Sequence, residues 1–252
     1  MQPTNEIDHQ SREELLKRTI PVIDLRYGRA VHAVGGARSQ YRRLDEVFGV
    51  DSDPERVAAH FAERFPQVYF ADLDAILDDH RDWELYRRIV KLARECWFDL
   101  GIGSSDSAIT AYEEVFCDQQ LGALIIGLES LESIEELREI CASIPREHLV
   151  FSLDLSDGEP MARPSTGKSR TPIEWAKIAI DCGMSRLILL ELTNVGNSTG
   201  PPVLDLCREL APLGAKLYSG GGTRDLRDVS AALAAGCSGI LVGTALHDGR
   251  IS

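Results

Sequence analysis

The chain has 252 residues, 44 % of them hydrophobic, enough for one large domain with a sizeable core and too many for wholesale disorder. Acidic residues outnumber basic ones, 40 to 27, for a formal charge of −13. That sign excludes nonspecific nucleic-acid binding, which needs a basic face, but leaves room for an anionic ligand held locally by backbone N–H groups.

Residues 1–18 are polar and charged, with no apolar leader, and no apolar stretch is long enough to span a bilayer. No membrane partner is expected, and the expected setting is cytoplasmic. Glu6–Lys17 has helical composition with Leu15-Leu16, so residues 1–18 read as a helical extension before one domain over 19–252. Short apolar runs then alternate with helical patterns. The predicted strands are Ile20–Leu25, Val68–Leu73, Trp97–Leu100, Ala123–Ile126, Leu149–Leu155, Arg186–Leu192, Lys216–Ser219 and Gly239–Val242. Most lack polar alternation, as strands buried on both faces do. The predicted helices are Pro54–Arg64, Trp83–Glu95, Asp106–Phe116, Ser133–Ser143, Pro172–Cys182, Pro202–Leu210 and Arg224–Ala235. Ser133 with Glu136, and Thr171 before Pro172, are helix starts; Gly183 and Gly236 are stops.

Eight strands with alternating helices point to an α/β fold, either a (β/α)8 barrel or an open doubly wound sheet. Internal repetition favours the barrel. Ile23-Asp24-Leu25-Arg26-Tyr27-Gly28 matches Leu153-Asp154-Leu155-Ser156-Asp157-Gly158, and Ala71-Asp72-Leu73 matches Leu190-Glu191-Leu192. Leu100-Gly101-Ile102-Gly103-Ser104 matches Ser219-Gly220-Gly221-Gly222-Thr223, and residues 122–127 match 238–243. Four matches in order read as two half-barrels. The last strand is followed by only ten residues, where a barrel normally has its final helix. The N-terminal extension or a second copy of the chain, as a homodimer, is expected to cover that seam.

The site of such a barrel lies at the carboxyl ends of its strands. Candidates there are Asp24, Asp72, Asp74, Asp99, Asp154 and Glu191. Asp24 and Asp154 end strands 1 and 5 on opposite sides, so a small substrate would sit between two carboxylates, one a general base and the other, with a raised pKa, a general acid. Asp72 and Glu191 stand open between substrate contact and structural role. Ser219-Gly220-Gly221-Gly222-Thr223 opens a helix, and Gly243-Thr244 follows the neighbouring strand. Glycines admit an anion to the backbone, so these loops read as a phosphate site. Arg38 after strand 1, and Lys168 and Arg170 after strand 5, add local positive charge, read either as a grip on a second anionic group or a lid, or as plain solvated loop. The six histidines show no metal-ligand spacing. The cysteines, Cys96, Cys117, Cys141, Cys182, Cys207 and Cys237, contain no C-x-x-C pair and read as reduced thiols.

Pro21-Val22-Ile23-Asp24-Leu25 with Gly28 and Val31, Ala71-Asp72-Leu73-Asp74-Ala75, Phe151-Ser152-Leu153-Asp154, Ser219-Gly220-Gly221 and Gly243-Thr244-Ala245-Leu246 together resemble the HisA/HisF barrels of histidine biosynthesis. The resemblance runs from Ile20 to Ile251 and is nearer to HisA, the ProFAR isomerase. It implies an Amadori rearrangement of an aminoaldose phosphate to an aminoketose phosphate, with Asp24 as base, Asp154 as acid and no cofactor. Four positions depart from the family pattern. Asp99-Leu100-Gly101-Ile102-Gly103 stands for its Gly-Gly-Gly-Ile-Arg loop, and Leu128 follows Gly127 where Thr or Ser is usual. Leu190 stands for a strand 6 threonine, and Asn194-Val195-Gly196-Asn197 for Arg-Asp-Gly-Thr. The first two remove the second phosphate site of a bisphosphorylated substrate. The expectation is a diverged isomerase for a small, singly phosphorylated metabolite. The family also has paralogues beside tetrahydromethanopterin-linked one-carbon genes, so the resemblance extends to pathways outside histidine synthesis. The alternatives are an authentic ProFAR isomerase and a barrel without catalysis that binds a ligand or partner.

Overall fold

The computed structural model describes residues 8–116, 122–166 and 169–252. Cys117, Lys168 and the first residues of the expected Glu6–Lys17 helix lie outside the described residues. Strands β1 (Thr19–Arg26), β2 (Gln67–Asp72), β3 (Glu95–Asp99), β4 (Gly122–Gly127), β5 (Leu149–Ser156), β6 (Arg186–Glu191), β7 (Lys216–Gly220) and β8 (Cys237–Val242) pair in parallel, each with the next. Thr19↔Ile240, Ile20↔Leu241 and Pro21↔Val242 close β8 onto β1. The sheet is therefore a closed (β/α)8 barrel, and the open-sheet alternative is excluded.

Two apolar sets explain the lack of alternation in the strands. Ile23, Leu25, Phe70, Phe98, Phe151 and their neighbours face the surrounding helices. Ile20, Tyr69, Trp97, Ile125, Val150, Ile188, Tyr218 and Leu241 fill the barrel itself. A period of two carries the inward face of β1 from Ile20 through Val22 to Asp24, so the last inward residue is a carboxylate.

Helix starts follow the local chemistry. Ser133 caps Ile134–Ser143 by accepting the Glu136 N–H at 3.1 Å. Thr171 and Glu174 form a reciprocal capping box on Pro172–Asp181. The expected helix Trp83–Glu95 ends at Ile89, because Glu95 is already the first residue of β3. There the Glu95 carboxylate accepts from Gln67 and Trp97, both at 2.7 Å, and from Arg186 at 3.2 Å. That three-donor anchor at the amino end of the barrel outweighs the helical look of Val90 and Ala93. The pattern also missed the short helix Leu73–Asp78 and the antiparallel return Arg29–His32 after β1.

The matched sequence positions adopt matched local conformations. Tyr27 and Asp157 lie at φ 52° and 53°, followed by Gly28 and Gly158 at 64° and 81°. Each turn opens an antiparallel return, onto Arg29–His32 after β1 and Glu159–Pro160 after β5.

Helix α1 (His9–Lys17), capped by Asp8, packs against β1 and the helix Leu226–Ala234. Leu15 is buried in the outer core, and the Arg18 carbonyl accepts the Ile240 N–H at 2.9 Å. Past β8 the described chain makes one helical turn, Thr244–His247, and buries Ile251. Leu15→Ala is expected to cost about 2–3 kcal/mol of stability, the scale of a lost buried leucine. An unchanged urea midpoint would show that α1 does not dock through Leu15 in solution.

Candidate active site

The carboxyl ends of the strands open into a cleft of about 970 Å³, measured out to the solvent at its mouth. Asp24 from β1, Asp99 from β3 and Asp154 from β5 point into it, joined by Glu129 after β4 and Arg38 from the loop after β1. Register places Asp24 beside Ala71 and Ala71 beside Asp99, so the first two carboxylates share a level across one small side chain. Asp154 pairs in register with Leu190.

Their surroundings differ. Asp99 accepts from the Tyr69 hydroxyl at 3.1 Å and from the Gly101 N–H at 3.2 Å. Asp154 accepts from the Ser152 hydroxyl at 2.7 Å, and Arg38 is ion-paired with Glu129. Burial, with Asp99 as a like-charged neighbour, pushes Asp24 from 3.8 up to about 7, while Arg38 offsets part of the rise. Burial, with Glu129, lifts Asp99 to about 6. Burial, with Glu129 and Asp99 nearby, drives Asp154 well above the carboxylate range. The shifts favour a proton on Asp154 more strongly than on Asp24. That ordering is the one an acid and a base facing one substrate would need.

The β7/β8 end is open to an anion. Gly221, Gly222, Thr223, Gly243 and Thr244 line the cleft. Gly221 and Gly222 adopt φ of 95° and 77°, and an added Cβ would stand 2.5 Å from the Glu191 carbonyl oxygen and 2.7 Å from that of Gly200. Only glycine fits there. The Thr223 hydroxyl is buried with no hydrogen-bond partner among the described residues. His32 reaches the same corner, with Nε2 3.0 Å from the Thr244 hydroxyl. Ser219 and Gly220 sit below the lining. Ser219 is fully buried with its hydroxyl unpartnered, and a Cβ on Gly220 would stand 2.7 Å from Leu190 Cδ1.

The β3/β4 end is closed. Leu100, Ile102, Leu128 and Leu131 are fully buried there. Several N–H groups of those loops are used internally: Gly101 on Asp99, Leu128 on the Ser152 carbonyl, Ser130 and Leu131 on Gly127, and Glu132 on Gly103. An anion would also meet Asp99 and Glu129. Two like unit charges 4 Å apart repel by roughly 4 kcal/mol at an effective dielectric of 20.

The remaining predicted residues divide by position. Arg38 lines the cleft. Asp72 is buried away from the cleft, capping Leu73–Asp78 through the Asp74 N–H and accepting from the Tyr86 hydroxyl at 2.6 Å. Glu191 is spent on the N–H groups of Asp157, Gly158 and Thr193 and on the Thr193 hydroxyl, which shapes the turn after β5. Arg170 rests over the Trp175 ring at 5.0 Å and donates to the Thr166 carbonyl. Asn194 and Asn197 bond within their own loop, to Thr199 and the Thr193 carbonyl. Glu129, Tyr69 and His32 carried no motif and were missed. The signal for Tyr69 was its inward position two residues before Ala71.

The architecture is a closed (β/α)8 barrel with inward carboxylates on β1, β3 and β5 and a glycine-walled end at β7 and β8. The chain belongs to the histidine biosynthesis protein family, whose model matches residues 18–252. It is 27 % identical over 238 residues to an uncharacterized protein of Methanocaldococcus jannaschii, covering 92 % of this chain and 94 % of that one. It is 28 % identical over 240 residues to the 1-(5-phosphoribosyl)-5-((5-phosphoribosylamino)methylideneamino)imidazole-4-carboxamide isomerase (ProFAR isomerase) of Alkalilimnicola ehrlichii, covering 92 % of each. The isomerase of the same name from Methanosarcina barkeri is 24 % identical over 238 residues, covering 92 % of this chain and 94 % of that one. No helix among the described residues is long and apolar enough to cross a membrane.

Proposed function

We propose that this chain is a HisA-type isomerase for a metabolite carrying one phosphate. The contrast between the two ends of the cleft carries the reading: Thr223 and the glycine backbone are available at β7/β8, while at β3/β4 several loop N–H groups are spent internally and Asp99 and Glu129 would repel an anion. The phosphate would lie against Gly221, Gly222, Thr223, Gly243 and Thr244, with the sugar between Asp24 and Asp154. Asp154 gives its proton to the ring oxygen, the C1–O bond opens, and the nitrogen on C1 becomes an iminium. Asp24 takes the proton from C2, and the electron pair left there neutralises the iminium as an enaminol, which tautomerises to the ketose. Protons move, and nothing is oxidised or reduced.

The test uses inorganic phosphate and a sugar monophosphate in calorimetric titration, with Thr223→Val as the variant. Its hydroxyl has no partner in the chain, so Val is expected to leave stability unchanged or higher while weakening both ligands about tenfold or more. Equal binding by wild type and variant would remove Thr223 from the phosphate site. The similarity to named ProFAR isomerases along nearly the whole chain favours a second reading, the authentic isomerase. Rescue of a histidine auxotroph lacking that enzyme would establish it; the closed β3/β4 end predicts no rescue.

A further inference from the structure

The side of the cleft away from Thr223 carries an imbalance of charge. Asp24, Asp99, Glu129 and Asp154 line the cleft, and among the described lining residues the guanidinium is that of Arg38. Arg38 is committed to Glu129. Asp99 is held by two neutral donors, one on each oxygen, the Tyr69 hydroxyl and the Gly101 N–H. A carboxylate oxygen accepts about two hydrogen bonds, so each Asp99 oxygen retains a lone pair. Tyr69 and Gly101 fix the group before any ligand arrives, which lowers the ordering cost of binding. The buried, unpartnered Thr223 hydroxyl in the same cleft independently marks it as a ligand site. Asp99 is also level with Asp24 across Ala71, so whatever it holds lies next to the reacting carbons.

We propose that Asp99 sets substrate specificity by receiving a protonated nitrogen distinct from the one on C1, whose lone pair must stay free to open the ring, so that the substrate is a phosphomonoester that also carries an amine or amidine near its reacting end. This rests on the one-phosphate reading above and adds the chemistry of the opposite end. Arg38 acts on Asp99 only at a distance while bonded to Glu129; an ammonium or amidinium supplies a cation in direct contact, and its donors match the remaining lone pairs. Burial holds Asp99 up at about 6, so it is charged at neutral pH, and a bound cation relieves its repulsion with Asp24 and Glu129.

The experiment titrates the full-length protein at pH 7.5 with ω-aminoalkyl phosphates, ω-hydroxyalkyl phosphates and alkane bisphosphates of two to six carbons, and with simple alkylamines. At the best length the amine is expected to bind about tenfold or more tighter than the alcohol. Asp99→Asn, matched in size, is expected to erase that preference while leaving inorganic phosphate and the alcohols unchanged. Asp99→Glu, which keeps the charge, is expected to retain the preference at a different chain length. Equal binding of amine and alcohol at every length overturns the proposal. So does tighter binding of a bisphosphate, which would make Arg38 a second phosphate grip. If no phosphate probe binds but alkylamines still distinguish wild type from Asp99→Asn, the β7/β8 reading fails and the role of Asp99 stands. If alkylamines do not distinguish them either, both fail.

Discussion

Asp24→Asn is expected to slow isomerisation by about 10²–10⁴-fold, the usual contribution of a positioned base, while making the protein more stable at pH 8. Burial and the nearby Asp99 raise the Asp24 pKa from 3.8 to about 7 in the folded chain. The folded state therefore binds the proton more tightly than the unfolded state between those values, and stability falls as pH rises through that window. One pKa unit corresponds to about 1.4 kcal/mol, so holding Asp24 ionised costs roughly 4 kcal/mol at pH 8. The neutral amide removes that cost. For a chain of this size each kcal/mol moves the midpoint by about 2–4 °C, so a rise on the order of ten degrees is expected at pH 8 and little or none near pH 4. Thermal unfolding of the variant across pH 4–8 measures this directly. A variant less stable than wild type at pH 8 would show that the carboxylate has a stabilising partner and is not held for chemistry.

Gly103→Ala is expected to destabilise the fold by about 1–3 kcal/mol, the range for overpacking a filled site. An added Cβ would lie 2.2 Å from the Ser130 carbonyl oxygen and 3.3 Å from Glu132 Cγ, in backbone tied down by the Glu132 N–H on the Gly103 carbonyl. The exposed Glu132 side chain can give way, but the Ser130 carbonyl is backbone and cannot swing aside. The loss is expected in the urea midpoint at any pH between 5 and 8, since no titrating group is involved. A tolerated alanine would mean that the β3 and β4 loops stand apart in solution, and with them a second anion site.

The barrel was legible because its signals are local and repeated. Apolar runs buried on both faces, Ser133 and Thr171 at helix starts, and glycines at turns each act within a few residues. The inward placement of Asp24 and Asp154 in the cleft was legible for the same reason: a carboxylate at the end of an apolar run is costly without a partner or a task. The environment of Asp99 was not legible. Its sequence position suggested a spoiled phosphate loop, whereas its character comes from Tyr69 one strand away and Glu129 two loops away. Asp72 and Glu191 are the converse case. Their place at strand ends resembles that of Asp24, but in each strand the inward position falls one residue earlier, at Ala71 and Leu190. That one-residue offset sends the carboxylates to cap the following turns. Arg170 could not be placed from sequence because its partner is an aromatic face, Trp175, in the next helix.

The floor of the barrel has a consequence for isotope labelling. Ile20, Trp97 and Tyr218 pack across the interior and are at most 7 % exposed, and Arg186 pairs with Glu95 at the amino end beneath them. Water reaches Asp24 from the mouth, which a bound substrate occupies. Under the mechanism proposed above, a hydrogen lifted from the sugar by Asp24 would be screened from the solvent pool for as long as the site is filled. Its natural fate is return to the same molecule, so product formed in heavy water would carry much of the substrate's own hydrogen.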